Sequence, residues 1–154
     1  MVLYLYTIIY LKGTKIMAIK MKILHYPEKG KIATFTNALA EVYELKADKI
    51  PPAYECSRDR LLFAGITAGK SLDDALARFL RGLTKDKVQY VAIYTDAPDV
   101  AIETMKELIT AAGSTVIDVK KVKGSMFSFL SGVKPEEMED LKAWAKEVVE
   151  KVQD

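Results

Sequence analysis

Apolar positions along the chain form short continuous runs that alternate with stretches of helical period. The runs Lys22–Tyr26, Leu61–Ile66, Val88–Tyr94 and Thr115–Val122 are short, rich in β-branched and aromatic residues, and bounded by turn-forming residues, which predicts strands. Between them Ile32, Phe35, Ala38, Leu39 and Val42 recur at helical spacing, and Leu72, Ala75, Leu76, Phe79, Leu80 and Leu83 make one apolar stripe. Ser71, with Asp74 after it, has the form of a capping box and predicts a helix start at Ser71. Asp96 is placed to cap the next helix, whose first turn holds Pro98 and Asp99, whose inner face is Ile102, Met105, Leu108 and Ile109, and which Gly113 ends. Pro135 opens a last helix with Glu136 and Glu137 in its first turn and Met138, Leu141, Ala145, Val148 and Val152 on its core face, Trp144 beside them. Two stretches are weaker. Tyr43–Ala47 is the expected second strand, and Asp48–Asp59, with Pro51 and Pro52, is expected to be a loop with a helical turn. Gly124–Val133 is a loop carrying Met126, Phe127, Phe129 and Leu130.

Five strands alternating with helices through short connections specify an α/β domain with a mostly parallel sheet. Ligands of such sheets sit beyond the carboxyl ends of the strands, at the switch point of the strand order. The loops to inspect are Tyr26–Lys31, Thr67–Ser71 and Tyr94–Asp99.

The first twenty residues do not fit this alternation. Residues 1–11 are apolar, too short to span a bilayer, and lack the charge and cleavage pattern of a signal peptide. Tyr4, Tyr6, Thr7, Ile8, Ile9 and Tyr10 predict a strand, so residues 1–20 are an extension: an extra strand, an arm, or a stretch before an alternative start at Met17 or Met21. Self-association through this extension is expected. Residues 21–154 then form a single domain.

Charge sharpens the picture only when divided. The first twenty residues hold three lysines and no acid, leaving 20 bases against 21 acids in the body. A near-neutral body argues against a nucleic-acid binder. One cysteine, Cys56, excludes an internal disulfide and a multi-cysteine zinc site, and fits a reducing, cytoplasmic setting. One histidine, His25, removes any scheme needing two, and no nucleophile elbow occurs. No catalytic residue and no metal site is expected, and the chain reads as a carrier or binding module more than as an enzyme.

Two loops carry candidate chemistry. In Tyr26–Lys31 a glycine lies between Lys29 and Lys31 at a helix start, where free amides and the helix dipole favour a phosphate, while Glu28 opposes it. A plain turn explains the same glycine. The segment Ala64-Gly65-Ile66-Thr67-Ala68-Gly69-Lys70-Ser71 differs from the phosphate-binding P-loop pattern only in Ala64 at the first glycine. There Lys70 would neutralise phosphate charge, Ser71 would hold magnesium, and Asp96 would be the second magnesium residue. The plainer reading makes Gly69 a turn, Lys70 solvated and Ser71 a cap. Lys120, Lys121 and Lys123 make a small basic cluster whose default reading is a solvated edge.

From Met21 to Val152 the order and spacing of these pieces resemble a short-chain flavodoxin. The segments LLFAGITAGKSLDDALARFL and VAIYTDAPDVAIETMKELITAAGSTVIDV look like its strand, flavin loop and helix units, and GVKPEEMEDLKAWAKEVVEKV like its closing helix. The resemblance implies a doubly wound five-stranded parallel sheet of order 2-1-3-4-5 with helices on both faces. It also implies FMN as cofactor, single-electron transfer, and a redox partner protein. By position the phosphate loop would be Pro27, Glu28, Lys29, Gly30, Lys31 and Ile32, and the ring would lie among Thr67, Ala68, Gly69, Lys70, Tyr94, Thr95 and Asp96. Of the family's hydroxyl-rich T/S-x-T-G-x-T pattern only Gly30 is present, and Pro27 has no N–H to give. Tyr26 and Tyr94 are the nearby aromatics available to replace the usual stacking residue. The alternatives are a flavodoxin-shaped binding or interaction module that has lost FMN and a nucleotide binder using Lys70.

Overall fold

The computed structural model describes residues 7–11, 14–123 and 133–153, with backbone alone for residues 7–18. Its strands are β1 (Thr7–Leu11), β2 (Thr14–Ile19), β3 (Met21–Tyr26), β4 (Asp48–Lys49), β5 (Asp59–Ile66), β6 (Val88–Thr95) and β7 (Thr115–Lys121). Its helices are α1 (Lys31–Val42), α2 (Asp74–Arg81), α3 (Asp99–Ala112) and α4 (Pro135–Lys151). The main sheet is parallel throughout, in the order β4-β3-β5-β6-β7. Numbered within that sheet the order is 2-1-3-4-5, the flavodoxin-like doubly wound fold.

Alternation along the central strands builds two cores. Leu61 and Phe63 of β5 join Tyr94 of β6 on one face, under α1 and α4, with Phe35, Leu39, Trp144 and Val148. Leu62, Ala64 and Ile66 join Val91 and Ile93 on the other, under α2 and α3, with Leu76, Leu80, Met105 and Ile109. Burial on both faces is why β5 and β6 read as continuous apolar runs instead of alternating ones.

Several boundaries differ from the sequence expectation, each for a local reason. The second strand of the sheet is Asp48–Lys49, not Tyr43–Ala47: helix α1 runs to Val42, Tyr43 caps it from a buried position, and the chain pairs with β3 only at Leu24 and His25. The following segment to Asp59 contains no helix. Helix α2 begins at Asp74 with Asp73 at its N-cap, so Ser71 is exposed loop and caps nothing. Helix α3 is capped at Pro98, leaving Asp96 for another role. Gly113 ends that helix at φ 121°, as its position predicts, and Pro135 occupies the first turn of α4.

The N-terminal extension holds two strands where one was expected. Strands β1 and β2 pair antiparallel as a separate hairpin that joins no edge of the main sheet. Packing of the body reaches back past Met21: Ile19 is buried in the first core, and Lys20 approaches Asp59 at 3.9 Å. Tyr4 and Tyr6, and the apolar loop residues Met126, Phe127, Phe129 and Leu130, lie outside the described residues.

Candidate functional site at the carboxyl edge of the sheet

The carboxyl ends of β3, β5 and β6 converge at Tyr26, Ile66 and Thr95, aligned through the ladder His25–Gly65–Tyr94 and Tyr26–Ile66–Thr95. The three loops expected to carry a ligand are therefore neighbours. What the side chains do there differs from what their types promised.

The first loop leaves β3 through a cis Tyr26–Pro27 peptide and enters α1 at Gly30. Gly30 has φ 124°, a conformation that L side chains rarely adopt, and a Cβ there would meet nothing within 4 Å. No side chain caps α1, which leaves the amides of its first turn without a side-chain partner. The lysines divide. Lys29 is exposed. Lys31 is buried, its Nζ 2.9 Å from Glu137 Oε2 of α4 and 5.9 Å from the centroid of the Phe35 ring. Glu28 lies exposed with its carboxylate 4.0 Å from Lys49. Ile32 is buried in the first core, and Thr34 turns its hydroxyl back to the Gly30 carbonyl at 3.3 Å. His25 is buried, with Nδ1 2.9 Å from the Pro27 carbonyl oxygen, which fixes the turn.

The aromatic candidates are also occupied. Tyr94 is fully buried beneath α1, edge-on to Trp144, with its hydroxyl hydrogen-bonded to Thr36. That position depends on Gly65, where a Cβ would collide with the Tyr94 ring and come within 2.8 Å of Ile32 Cγ2. Gly65 thus serves close packing inside β5. Tyr26 is half-buried and donates its hydroxyl to Asp73 Oδ2 at 2.6 Å, tying the end of β3 to the start of α2. That hydrogen bond to a carboxylate raises the Tyr26 pKa.

The second and third loops are joined to each other. Thr67 donates to Asp96 Oδ2 at 3.2 Å, and the other Asp96 oxygen is buried without a hydrogen-bond partner among the described residues. Thr95 donates its hydroxyl to the Ile66 carbonyl at 2.6 Å and accepts the Ala97 amide at 3.0 Å, so it ties the ends of β5 and β6 together. Ala68 packs against the second core, while Gly69, Lys70 and Ser71 are exposed. In a P-loop the lysine and hydroxyl open the helix that binds phosphate. Here Lys70 and Ser71 precede Asp73, the N-cap of α2, so their amides belong to the loop.

These residues fit FMN poorly. Three of the family's hydroxyl positions hold Pro27, Lys29 and Ile32, and the lysine best placed to compensate, Lys31, is neutralised by Glu137. Tyr94, fully buried, has no face open to a flavin ring, and the hydroxyl of half-buried Tyr26 is held by Asp73. Of the decisive partners, Asp73 and Thr36 carry no signal in the sequence reading and Glu137 figures there only as a first-turn acid of the last helix, because each meets its partner from a distant element. Among the described residues no cluster of three or more histidine, cysteine or acidic side chains is placed to hold a metal. No described helix is long and apolar enough to cross a membrane. No protein-family model and no curated protein matches the chain.

Proposed function

We propose that this protein is a flavodoxin-shaped binding and interaction module that does not carry FMN in the flavodoxin manner. The observation that carries this reading is the Lys31–Glu137 pair, which takes away the cation that would replace the lost phosphate hydroxyls and leaves a carboxylate beside it. A phosphate dianion held by backbone amides and one exposed lysine lacks the directed, charge-assisted bonds that give such sites their strength. The full burial of Tyr94 supports the same conclusion for the ring.

An FMN-binding, electron-transferring role with a redox partner is the second reading. It is favoured by one feature, the open α1 start at Gly30, whose positive φ and empty surroundings suit an approaching anion. The visible absorption spectrum of the purified protein, before and after FMN addition and desalting, separates the two. A colourless protein that retains no flavin supports the module, and retained flavin absorption overturns it. We also infer that the β1–β2 hairpin mediates self-association, because a two-stranded ribbon outside the main sheet has two edges that no other described strand pairs.

A further inference from the structure

The outermost strand of an open sheet presents a row of unpaired backbone groups, and natural edge strands are kept short, charged or bulged to stop other chains from pairing there. The described residues hold four such edges, β4 and β7 of the main sheet and β1 and β2 of the hairpin. Three of them are blunted. Strand β4 has two residues, and β7 carries Asp118, Lys120 and Lys121. Strand β2 carries Lys15 and is also bulged: Thr7 pairs with Ile19 and Ile9 with Ile16, so Met17 and Ala18 stand opposite Ile8 alone. An extra residue of this kind bends the strand and interrupts its ladder.

Strand β1 is the exception. Its sequence, TIIYL, contains no charge, proline or glycine, and four of its five residues are β-branched or aromatic, which suits a further ladder. The strand that β1 pairs with is the one tied to the body. Strand β2 runs into β3 through Lys20, which donates to the Ser57 carbonyl and lies 3.9 Å from Asp59, with Ile19 buried in the first core. Two strands alone are marginally stable in water, and three or more are needed for an independent sheet.

We propose that β1 is the dimerisation edge of this protein: β1 of one chain pairs antiparallel with β1 of a second copy about a two-fold axis at Ile9. The result is a four-stranded sheet in the order β2-β1-β1-β2. This rests on the self-association inferred above for the hairpin and gives it an edge, a register and a symmetry. A second copy fits because the strand is its own complement. Centred on Ile9, the pairing sets Thr7 opposite Leu11 and Ile8 opposite Tyr10, uses all five residues and brings no charge against another. Pairing through β2 would instead put a bulge and Lys15 into the new ladder. An isologous contact closes on itself, so the dimer ends in two bulged, lysine-bearing β2 edges and growth stops there.

The test uses the full chain and is independent of flavin. Opposed residues of an antiparallel ladder stand roughly 4.5–5.5 Å apart between Cα atoms, inside the span of about 4.4–6.8 Å that a disulfide bridges. Ile9→Cys is therefore expected to give a disulfide-linked dimer on mild oxidation, the native thiol of Cys56 being buried. Ile16→Cys is the comparison. Ile16 pairs with Ile9 inside one hairpin, so across the dimer its two copies lie three strand spacings, roughly 14 Å, apart and should not link. Sedimentation velocity supplies a second readout. Ile9→Lys and Ile9→Glu should each raise the dimer dissociation constant about tenfold or more by setting like charges face to face. An equimolar mixture of the two should restore the dimer, a rescue that variants with a merely unfolded hairpin would not give. A parent that dimerises while Ile9→Cys fails to link, Ile16→Cys links equally, or the mixture gives no rescue would overturn the β1 edge and leave self-association standing. Species that grow past two chains with concentration would overturn the two-fold axis. A parent that stays monomeric would overturn self-association itself, and cosedimentation of that monomer with phosphatidylserine vesicles would assign the strand to a lipid surface instead.

Discussion

Lys31 and Glu137 hold each other across the α1–α4 contact with their side chains 6% and 14% exposed. Removing one partner of such a pair leaves the other charge with little water and no counter-ion, which costs more than the pair itself contributes. Lys31→Met is therefore expected to lower unfolding free energy by about 3 kcal/mol, and adding Glu137→Leu to recover most of it. Urea titration of the two variants checks this. A site kept for phosphate would behave otherwise, with Lys31→Met nearly neutral for stability and harmful to anion binding. Asp59 makes a second prediction, in pH. Burial holds its carboxyl above the ordinary 3.8, against the lowering pull of Lys20, Lys22 and the Ser57 amide. An acid raised on folding binds its proton more tightly in the folded chain, so its contribution falls as pH climbs from the unfolded value through the folded one. The stability of the parent relative to Asp59→Asn should decline over that window and level off above it. A difference that grows with pH would show that Lys20 outweighs the burial. Cys56 is a quieter case: burial pushes its thiol up to about 11, as befits a side chain packed in the second core.

Among the elements, those with two buried faces were legible in the sequence and those fixed by one tertiary contact were not. Strands β5 and β6 read as strands because every residue from Leu61 to Ile66 and from Val91 to Thr95 is buried. Helix α2 showed its stripe, but its start was misplaced because Ser71 and Asp74 have the right spacing for a cap while the chain needs residues 67–73 to pass beyond β5. Strand β4 was invisible since two residues carry no period. The candidate site was legible as three loops and illegible as chemistry: Lys31 looks like a phosphate ligand until Glu137 arrives from α4. The hairpin β1–β2 was half legible, its first strand by composition and its second masked by the lysines of residues 12–20. A chain beginning at Met17 retains Ile19 and the Lys20–Asp59 contact but loses β1 and the first half of β2. It is expected to keep the parent's cooperative unfolding and to run as a smaller particle in light scattering. An unchanged particle size would remove the hairpin from self-association.

At the scale of the whole molecule, one doubly wound frame presents two very different surfaces. At its carboxyl edge, where ligands of this architecture bind, several side chains bond to one another, from Tyr26–Asp73 to Thr67–Asp96, while the α1 start at Gly30 stays open. Its α2 flank, where β4 reaches β5 without a crossover helix, is open. Ligand linkage turns this contrast into a measurement. A ligand that binds only the folded chain, at a hundred times its dissociation constant, adds about 2.7 kcal/mol to stability. For a domain of this size that is a rise in melting temperature of roughly 5–10 °C. FMN at 100 μM would show any site tighter than about 1 μM in this way. The expectation is no shift with FMN, in the parent and in Gly30→Asp alike, because the α1 start offers amides and the exposed Lys29 without the directed hydroxyls or a second free lysine to hold the phosphate. A parent stabilised by FMN, with Gly30→Asp losing the effect, would place the flavin at α1 and return the molecule to electron transfer. Gly30→Asp alone is informative about strain, since an L residue at φ 124° is costly whatever binds nearby. The comparison therefore rests on the flavin-induced shift within each protein, not on their absolute melting temperatures.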